Sequence, residues 1–527
     1  MDAGTVREVT RALLRELGLT TVFGNPGTTE VPFLTGWPDD FRYVLGLQES
    51  VVVAMADGYA QARREPVLVN LHSAGGLGHA LGSVFTAHRN RTPMIITAGQ
   101  QVRALLPDEP FLSATDAAAF PRPHVKSSLE PATAGDVPAA LARAHRIATT
   151  APQGPVFVSV PADDWDRPAE PVPARPATSA AAPDPAALSE LVTALDGAAR
   201  PAFVVGPAVD HDGAVPGLVE LAERTRAAVW VSPLSARCSF PEDHPCFAGF
   251  LHPERKLLAA ELAAHDLVVV WGAPAFTYHV DRGEAEHELP ELFLVHDDPE
   301  ALARARRGRG VLGGVGAAVR RVAELARPGA DRPAPVARPG PPRPEPGPPL
   351  TAARALAELR AGWDRDRVVV EEAPSHRNDL HEHFPITSRD GGFLTTASGT
   401  LGYGIGAAVG AAIARPERPV LALLGDGASM YGFQAVWTAV REEAPVTFAV
   451  LDNARYAAVA VLGDRGGGRE LPGVELGGID FAALARALGC PASTIRTAGQ
   501  LATALAEPTT GPRLLHVHVD PRPRALY

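Results

Sequence analysis

Cysteine is nearly missing from this chain, which has only Cys238, Cys246 and Cys490 in 527 residues. An odd, sparse set without a C-x-x-C pair excludes a disulfide framework and a cysteine-based zinc or redox centre, so all three read as buried thiols. No dense Lys/Arg run offsets a formal net charge of -11, which argues against nucleic acid or an anionic membrane as the main partner. No apolar run is long enough to span a bilayer, and the longest small-and-apolar stretch, 402–414, is short and glycine-rich. The opening M-D-A-G-T-V-R-E lacks the apolar core of a signal peptide, so a cytoplasmic location is expected.

Proline, by contrast, is abundant, and it divides the chain. Residues 167–185 and 328–349 are proline-rich, cannot build a core and read as linkers. They leave three blocks of ordinary domain size: 1–166, 186–327 and 350–527. Each block alternates short apolar runs with longer amphipathic ones. The runs 67–70 and 94–97, 202–205 and 267–271, and 420–424 and 446–451 read as buried strands. Apolar strands alternating with helices imply parallel sheets covered on both faces. The expected fold is therefore α/β, with three consecutive doubly wound domains whose ligands sit at the carboxyl ends of the strands.

The most informative segment is L-L-G-D-G-A-S, 423–429. A buried strand ends at Gly425, Asp426 stands at its carboxyl end, and Gly427 has no side chain to keep a phosphate away. A helical pattern over 433–442 follows, whose N-terminal N–H groups suit a diphosphate. The next strand, 446–451, ends at Asp452-Asn453. Neighbouring parallel strands would set Asp426 and Asn453 side by side, an oxygen pair suited to Mg²⁺ with phosphate oxygens. A competing motif is G-Y-G-I-G-A, 402–407, which fits the outline of a dinucleotide fingerprint but leaves that pair unexplained. In the first block, Glu49 ends an apolar run and opens a helical pattern over 50–63. Taken alone it is a helix N-terminal glutamate.

The G-D-G…D-N segment resembles the thiamine diphosphate motif, G-D-G…N-N, with Asp452 departing from the pattern at the first position of the final pair and Asn453 keeping the second. Further matching runs are T-V-F-G-N-P-G (21–27), A-D-G-Y-A-Q-A (56–62), N-L-H-S-A (70–74), T-A-G-Q-Q (97–101), A-P-Q-G-P-V (151–156), H-P-C-F (244–247), G-A-P-A-F-T-Y-H (272–279) and G-I-D-F (478–481). With these, nearly the whole chain is similar to the benzoylformate decarboxylase branch of the thiamine diphosphate-dependent enzymes. The resemblance implies a pyrimidine-binding first domain, a central domain and a diphosphate-binding third domain.

It also implies roles, residue by residue. Glu49 would activate the cofactor's pyrimidine, and His72 and His279 would orient substrate and move protons. Thr28 would stand where a serine binds the substrate carboxylate. Cofactor contacts would come from Pro26, Ser375, Gly399, Leu401, Asp426, Gly427, Ala428, Asn453, Tyr456 and Ala457. The metal would be held by Asp426, Asn453 and the carbonyl of Arg455. Phe111, Leu112, Thr395, Ala458, Val459 and Leu462 fall at pocket positions. Thr395 and Leu462 stand where aromatic residues are usual, which points to an aliphatic or differently substituted 2-oxo acid. His376 keeps an open role beside Ser375, whereas His79, His88 and His124 read as structural.

The implied reaction is non-oxidative loss of CO2 from a 2-oxo acid to give an aldehyde, with thiamine diphosphate and Mg²⁺. The family builds each site from two subunits, so a homodimer is the minimum and a homotetramer the common form. Carboligation of the acetolactate synthase kind, a dinucleotide-dependent oxidoreductase and a non-catalytic scaffold are the alternatives. The middle block binds FAD in some related synthases, but nothing in these residues indicates it here.

Overall fold

The computed structural model describes residues 4–175, 181–344, 346–363, 367–387, 391–465 and 471–522. It contains three six-stranded sheets, each parallel throughout. In the first, the strands lie in the order Arg42–Leu45, Thr21–Gly24, Val67–Leu71, Met94–Gln100, Val156–Pro161, Ser127–Leu129. The third has the same outline, with Val420–Gly425 and Val446–Asp452 adjacent at its centre. Every residue of Val67–Leu71, Met94–Gln100 and Leu267–Trp271 is buried, as expected for strands with helices on both faces. The α/β reading with three parallel-sheet domains holds.

Two helices decide how the first and third domains meet. Glu49–Arg63 starts at Gln48, whose side chain accepts the Val51 N–H, and stops at Arg64 in the left-handed region. It packs along Gly404–Ala414, a helix buried on every side. The contact is backbone on backbone: a Cβ on Gly58 would lie 2.1 Å from the Ala407 carbonyl oxygen. Val51, Met55 and Ala56 join Ile405, Ala408 and Val409 in one apolar core that runs through both domains. The middle domain has cores of its own. It is tied to the first domain by polar contacts: Arg237, paired with Asp210 of its own domain at 2.6 Å, reaches Gln61, and Arg64 reaches Asp210 at 3.2 Å.

Among the described residues, no helix is long and apolar enough to cross a membrane.

Candidate functional site

The strands Val420–Gly425 and Val446–Asp452 pair in register, Gly425 opposite Leu451, so the residues just past them stand together at the carboxyl edge. There Asp426 Oδ2 and Asn453 Oδ1 both accept the N–H of Arg455, each at 3.2 Å. Two oxygens from neighbouring strands thus converge on one point, beside the main chain of the residue whose carbonyl completes the expected metal set. Burial, reinforced by the carboxylate of Asp452, pushes Asp426 up to about 6. A divalent cation would relieve that strain by favouring the charged form. The donor set fits Mg²⁺, with one carboxylate, one amide oxygen and a carbonyl, leaving positions for phosphate and water.

A cavity of about 230 Å³ opens beside these oxygens. Its wall includes Ser375, His376, Gly399, Leu401, Asp426, Gly427, Ala428, Asn453, Arg455, Tyr456, Ala458 and Val459. At Gly427 a Cβ would lie 2.3 Å from the ring of Tyr456, so any larger residue would have to displace that side chain. Gly399 has φ +74 and open space where a Cβ would stand. The turn at the strand end differs from the sequence expectation. A short helix, Asp426–Ser429, begins directly at Asp426, and the next one is confined to Ala435–Arg441. The helical N–H groups beside the metal pair therefore come from this first turn, where Gly427 donates to Asp426 Oδ1 at 2.7 Å and the Ser429 hydroxyl ties back to the Gly425 carbonyl at 2.7 Å. His376 is buried, which pushes its imidazole below the usual range, and its Nε2 lies 3.4 Å from Asn453 Nδ2.

The first domain gathers a second group of side chains at the carboxyl edge of its own sheet. Glu49 is 8% exposed and receives Asn25 Nδ2 at 3.3 Å. Gly76 makes room for it, a Cβ there standing 3.1 Å from Glu49 Oε1. His72 follows the strand Val67–Leu71 and stands just before the helix Ser73–Arg89, with its side chain free of any capping bond to that helix. Ser73 donates to the Leu112 carbonyl at 2.7 Å, which holds the 111–112 loop beside His72. Pro26, Thr28, Phe111 and Leu112 are all exposed.

The structure does not bring all the expected residues to one place. No first-domain residue lines the third-domain cavity. His279 is exposed in the middle domain, its N–H on the Pro253 carbonyl at 2.8 Å, and it too is absent from that wall. Thr395 is not at the wall either: it is buried in the strand Phe393–Thr395, with its hydroxyl on Glu371 at 2.7 Å. Strand alternation gives the reason, since the hydroxyl is taken up by the neighbouring strand's carboxylate. Ala457 is buried behind the wall, and Leu462 is exposed on the helix Ala457–Arg465.

Three residues in or beside the site had escaped the sequence reading. His79, read as structural, places Nδ1 3.2 Å from Glu49 Oε2. Its spacing was a usable signal, because positions 72, 76 and 79 share one face of a helix. Glu30 is buried against His72, with Oε2 2.8 Å from Nδ1. Glu372 is buried and accepts N–H groups from Gly402, Tyr403 and Gly404 at 2.8, 3.2 and 2.9 Å, anchoring the loop that carries Gly399 and Leu401.

Comparison with known proteins adds three family models of thiamine pyrophosphate enzymes. The N-terminal TPP binding domain matches residues 4–120, the central domain 188–322 and the C-terminal TPP binding domain 373–519. The chain is 40% identical over 507 residues to benzoylformate decarboxylase of Pseudomonas aeruginosa, spanning 95% of this chain and 96% of that protein. Among solved structures it resembles a thiamine diphosphate-dependent 4-hydroxybenzoylformate decarboxylase of Rhodococcus jostii RHA1, with TM-score 0.94, 40% identity and coverage of 98% and 99%. It also resembles the benzoylformate decarboxylase of Polynucleobacter necessarius, with TM-score 0.96, 37% identity and 99% of each chain covered.

Proposed function

The chain belongs to the thiamine pyrophosphate enzymes, and from that premise we propose that it is a decarboxylase of 2-oxo acids, releasing CO2 and an aldehyde. The observation that carries this reading is the pair Asp426 and Asn453, whose oxygens meet at the Arg455 N–H beside a cavity at the strand ends. Asp426, Asn453 and the Arg455 carbonyl would hold Mg²⁺. Ser375, Gly427, Ala428 and Tyr456 would hold the diphosphate end, with Ala457 behind them. Gly399 and Leu401 would face the middle of the cofactor, Leu401 as the apolar support for its bent shape. Bound there, thiamine diphosphate supplies an electron sink that lets a 2-oxo acid lose CO2.

The chain's own residues do the rest. Glu49, with Pro26 nearby, holds the proton on the pyrimidine edge. Thr28 offers a hydroxyl to the substrate carboxylate. His72 and His279 move protons to the carbon that becomes the aldehyde. Phe111, Leu112, Ala458, Val459 and Leu462 exclude water from the pocket. The exposure of Pro26, Thr28, Phe111 and Leu112, together with a cavity wall free of first-domain residues, supports a site completed by a second copy. A homodimer is the minimum assembly and a homotetramer the common form. The three free thiols accord with a cytoplasmic enzyme.

The test is CO2 release by purified protein from a panel of aryl and alkyl 2-oxo acids, with and without thiamine diphosphate and Mg²⁺. Release that needs both cofactors is expected, with benzoylformate among the acids turned over. Tight cofactor binding with no release from any acid would overturn the decarboxylase reading. Carboligation of the acetolactate synthase kind also frees CO2, so product analysis with an added aldehyde, for a ligated hydroxy ketone in place of free aldehyde, separates the two.

A further inference from the structure

Glu30 is the most heavily hydrogen-bonded carboxylate beside the proposed proton-transfer groups. It is 1% exposed and lies in the Thr28–Glu30 turn. Its Oε2 accepts the Gly27 N–H and faces His72 Nδ1, both at 2.8 Å. Its Oε1 accepts the Gly99 N–H at 2.8 Å and the Thr29 hydroxyl at 2.7 Å. These partners follow or end three adjacent parallel strands, Thr21–Gly24, Val67–Leu71 and Met94–Gln100. Both glycines are needed for the fit. A Cβ on Gly27 would stand 2.1 Å from His72 Nδ1, and one on Gly99 would stand 2.3 Å from Glu30 Oε1.

The hydrogen positions follow from this arrangement. Thr29 Oγ1 gives its proton to Glu30, so toward His72 Nδ1, 3.1 Å away, it offers a lone pair. An ionised carboxylate likewise offers only lone pairs. Facing two acceptors, Nδ1 must carry the hydrogen, and in neutral imidazole the lone pair is then on Nε2.

We infer that Glu30 is a positioning residue for the reaction: through Nδ1 it fixes the tautomer and ring orientation of His72, leaving Nε2 to take or give a proton. This rests on the decarboxylase reading for what the proton is used for, but the tautomer itself does not depend on it. A loop tie with no catalytic consequence would engage the two glycine N–H groups alone. Here the carboxylate spends half of one oxygen's contacts on the imidazole.

The experiment is a double-mutant cycle on the cofactor-loaded enzyme, combined with ring ¹⁵N spectra of histidine-labelled wild type. Glu30→Gln should lower kcat about 10- to 100-fold with KM changed less than about threefold, the size seen when the partner orienting a histidine is lost. In a His72→Ala background the same substitution should change kcat by less than about twofold, because the residue it acts through is gone. Equal losses in both backgrounds would overturn the proposal. In the spectra, the signal missing from His72→Ala should show a protonated Nδ1 and a bare Nε2, and the opposite tautomer would overturn the proposal even if Glu30→Gln fails to fold. Should no 2-oxo acid be turned over, the decarboxylase reading fails, while the tautomer result still judges Glu30.

Discussion

Replacing Gly410 with alanine tests whether the packing of the first domain on the third is as close as described. A Cβ on Gly410 would lie 1.8 Å from the Met55 carbonyl oxygen, 2.7 Å from its carbon and 2.9 Å from the Tyr59 nitrogen. Carbon and oxygen approach to about 3.3 Å even in weak hydrogen bonds, so the helices must separate by roughly 1.5 Å. All three obstructing atoms are backbone, so no side chain can swing aside. Overpacking of this kind costs about 1–3 kcal/mol and occasionally more. Alanine in place of glycine inside a helix returns about 1 kcal/mol, so the balance is destabilising. The helices concerned are Glu49–Arg63, which opens with Glu49, and Gly404–Ala414, which follows Gly399 and Leu401. Displacements of about 1 Å can cost about 10²-fold in rate, so turnover should fall along with stability. Calorimetry should show Gly410→Ala melting several degrees lower, at roughly 2–4 °C per kcal/mol for a domain of this size. Gly499→Ala is the control: it lies in the helix Ala498–Ala506 with nothing within 4 Å, and it should be neutral or slightly stabilising. If Gly410→Ala melts with the wild type and keeps its activity, the interhelical contact is looser than these distances say.

Glu49→Gln should reduce turnover by about 10²–10⁴-fold while cofactor still binds, and near-normal rates would remove Glu49 from its assigned role. Glu372 should give stability a distinctive pH dependence. Burial outweighs the N–H groups of Gly404, Tyr403 and Gly402 and pushes it up to about 8. The folded state then holds a proton that the unfolded chain has already lost, so its contribution is full at acid pH and fades as pH rises through about 8. Unfolding free energy should thus fall by up to about 1.4 kcal/mol per pH unit between roughly pH 5 and 8. Glu372→Gln should flatten that slope in denaturant titrations, and an unchanged slope would mean the carboxyl is ionised throughout. Arg237→Met leaves Asp210, among the described residues, with Arg64 at 3.2 Å and the Gly391 N–H at 3.1 Å. Breaking so buried a pair should cost about 3–5 kcal/mol in urea unfolding, and a loss below about 1 kcal/mol would show that water compensates it.

What could be read from the chain itself divides along a physical line. Buried parallel strands announce themselves because both faces must be apolar, and 420–424 and 446–451 lie within Val420–Gly425 and Val446–Asp452. Asp426 and Asn453 were legible for the same reason, since strand ends in register bring successive loops together. Glu30 and Glu372 were not. Their partners are mostly main-chain N–H groups on other strands and loops, and a backbone donor has no residue type for a sequence pattern to register. The pairing of Thr395 with Glu371 was hidden for a related reason: a position on a strand does not say which neighbour will claim its hydroxyl.

The residue that departs from the diphosphate motif shows how such a change can be absorbed. Asp452 sets a second carboxylate beside Asp426, which by itself would raise the cost of keeping both ionised. Burial also opposes its charge. Yet the hydrogen bond with His516, the Ala454 N–H and nearby His518 together hold Asp452 below the usual carboxylate range. His516 Nε2 lies 2.7 Å from Asp452 Oδ2, and His518 stands directly opposite Asp452 in register on the adjoining strand. Both histidines project from the same face of Arg513–His518, two residues apart, as strand alternation requires. The change at 452 and the histidines at 516 and 518 are therefore one electrostatic unit, separated by more than sixty positions in the chain and joined by one strand pairing. Asp426 bears the residual repulsion, and a divalent cation bound by Asp426 and Asn453 would offset it. The departure from the motif thus falls on the residue that turns toward His516, while the ligand position beside it keeps its asparagine.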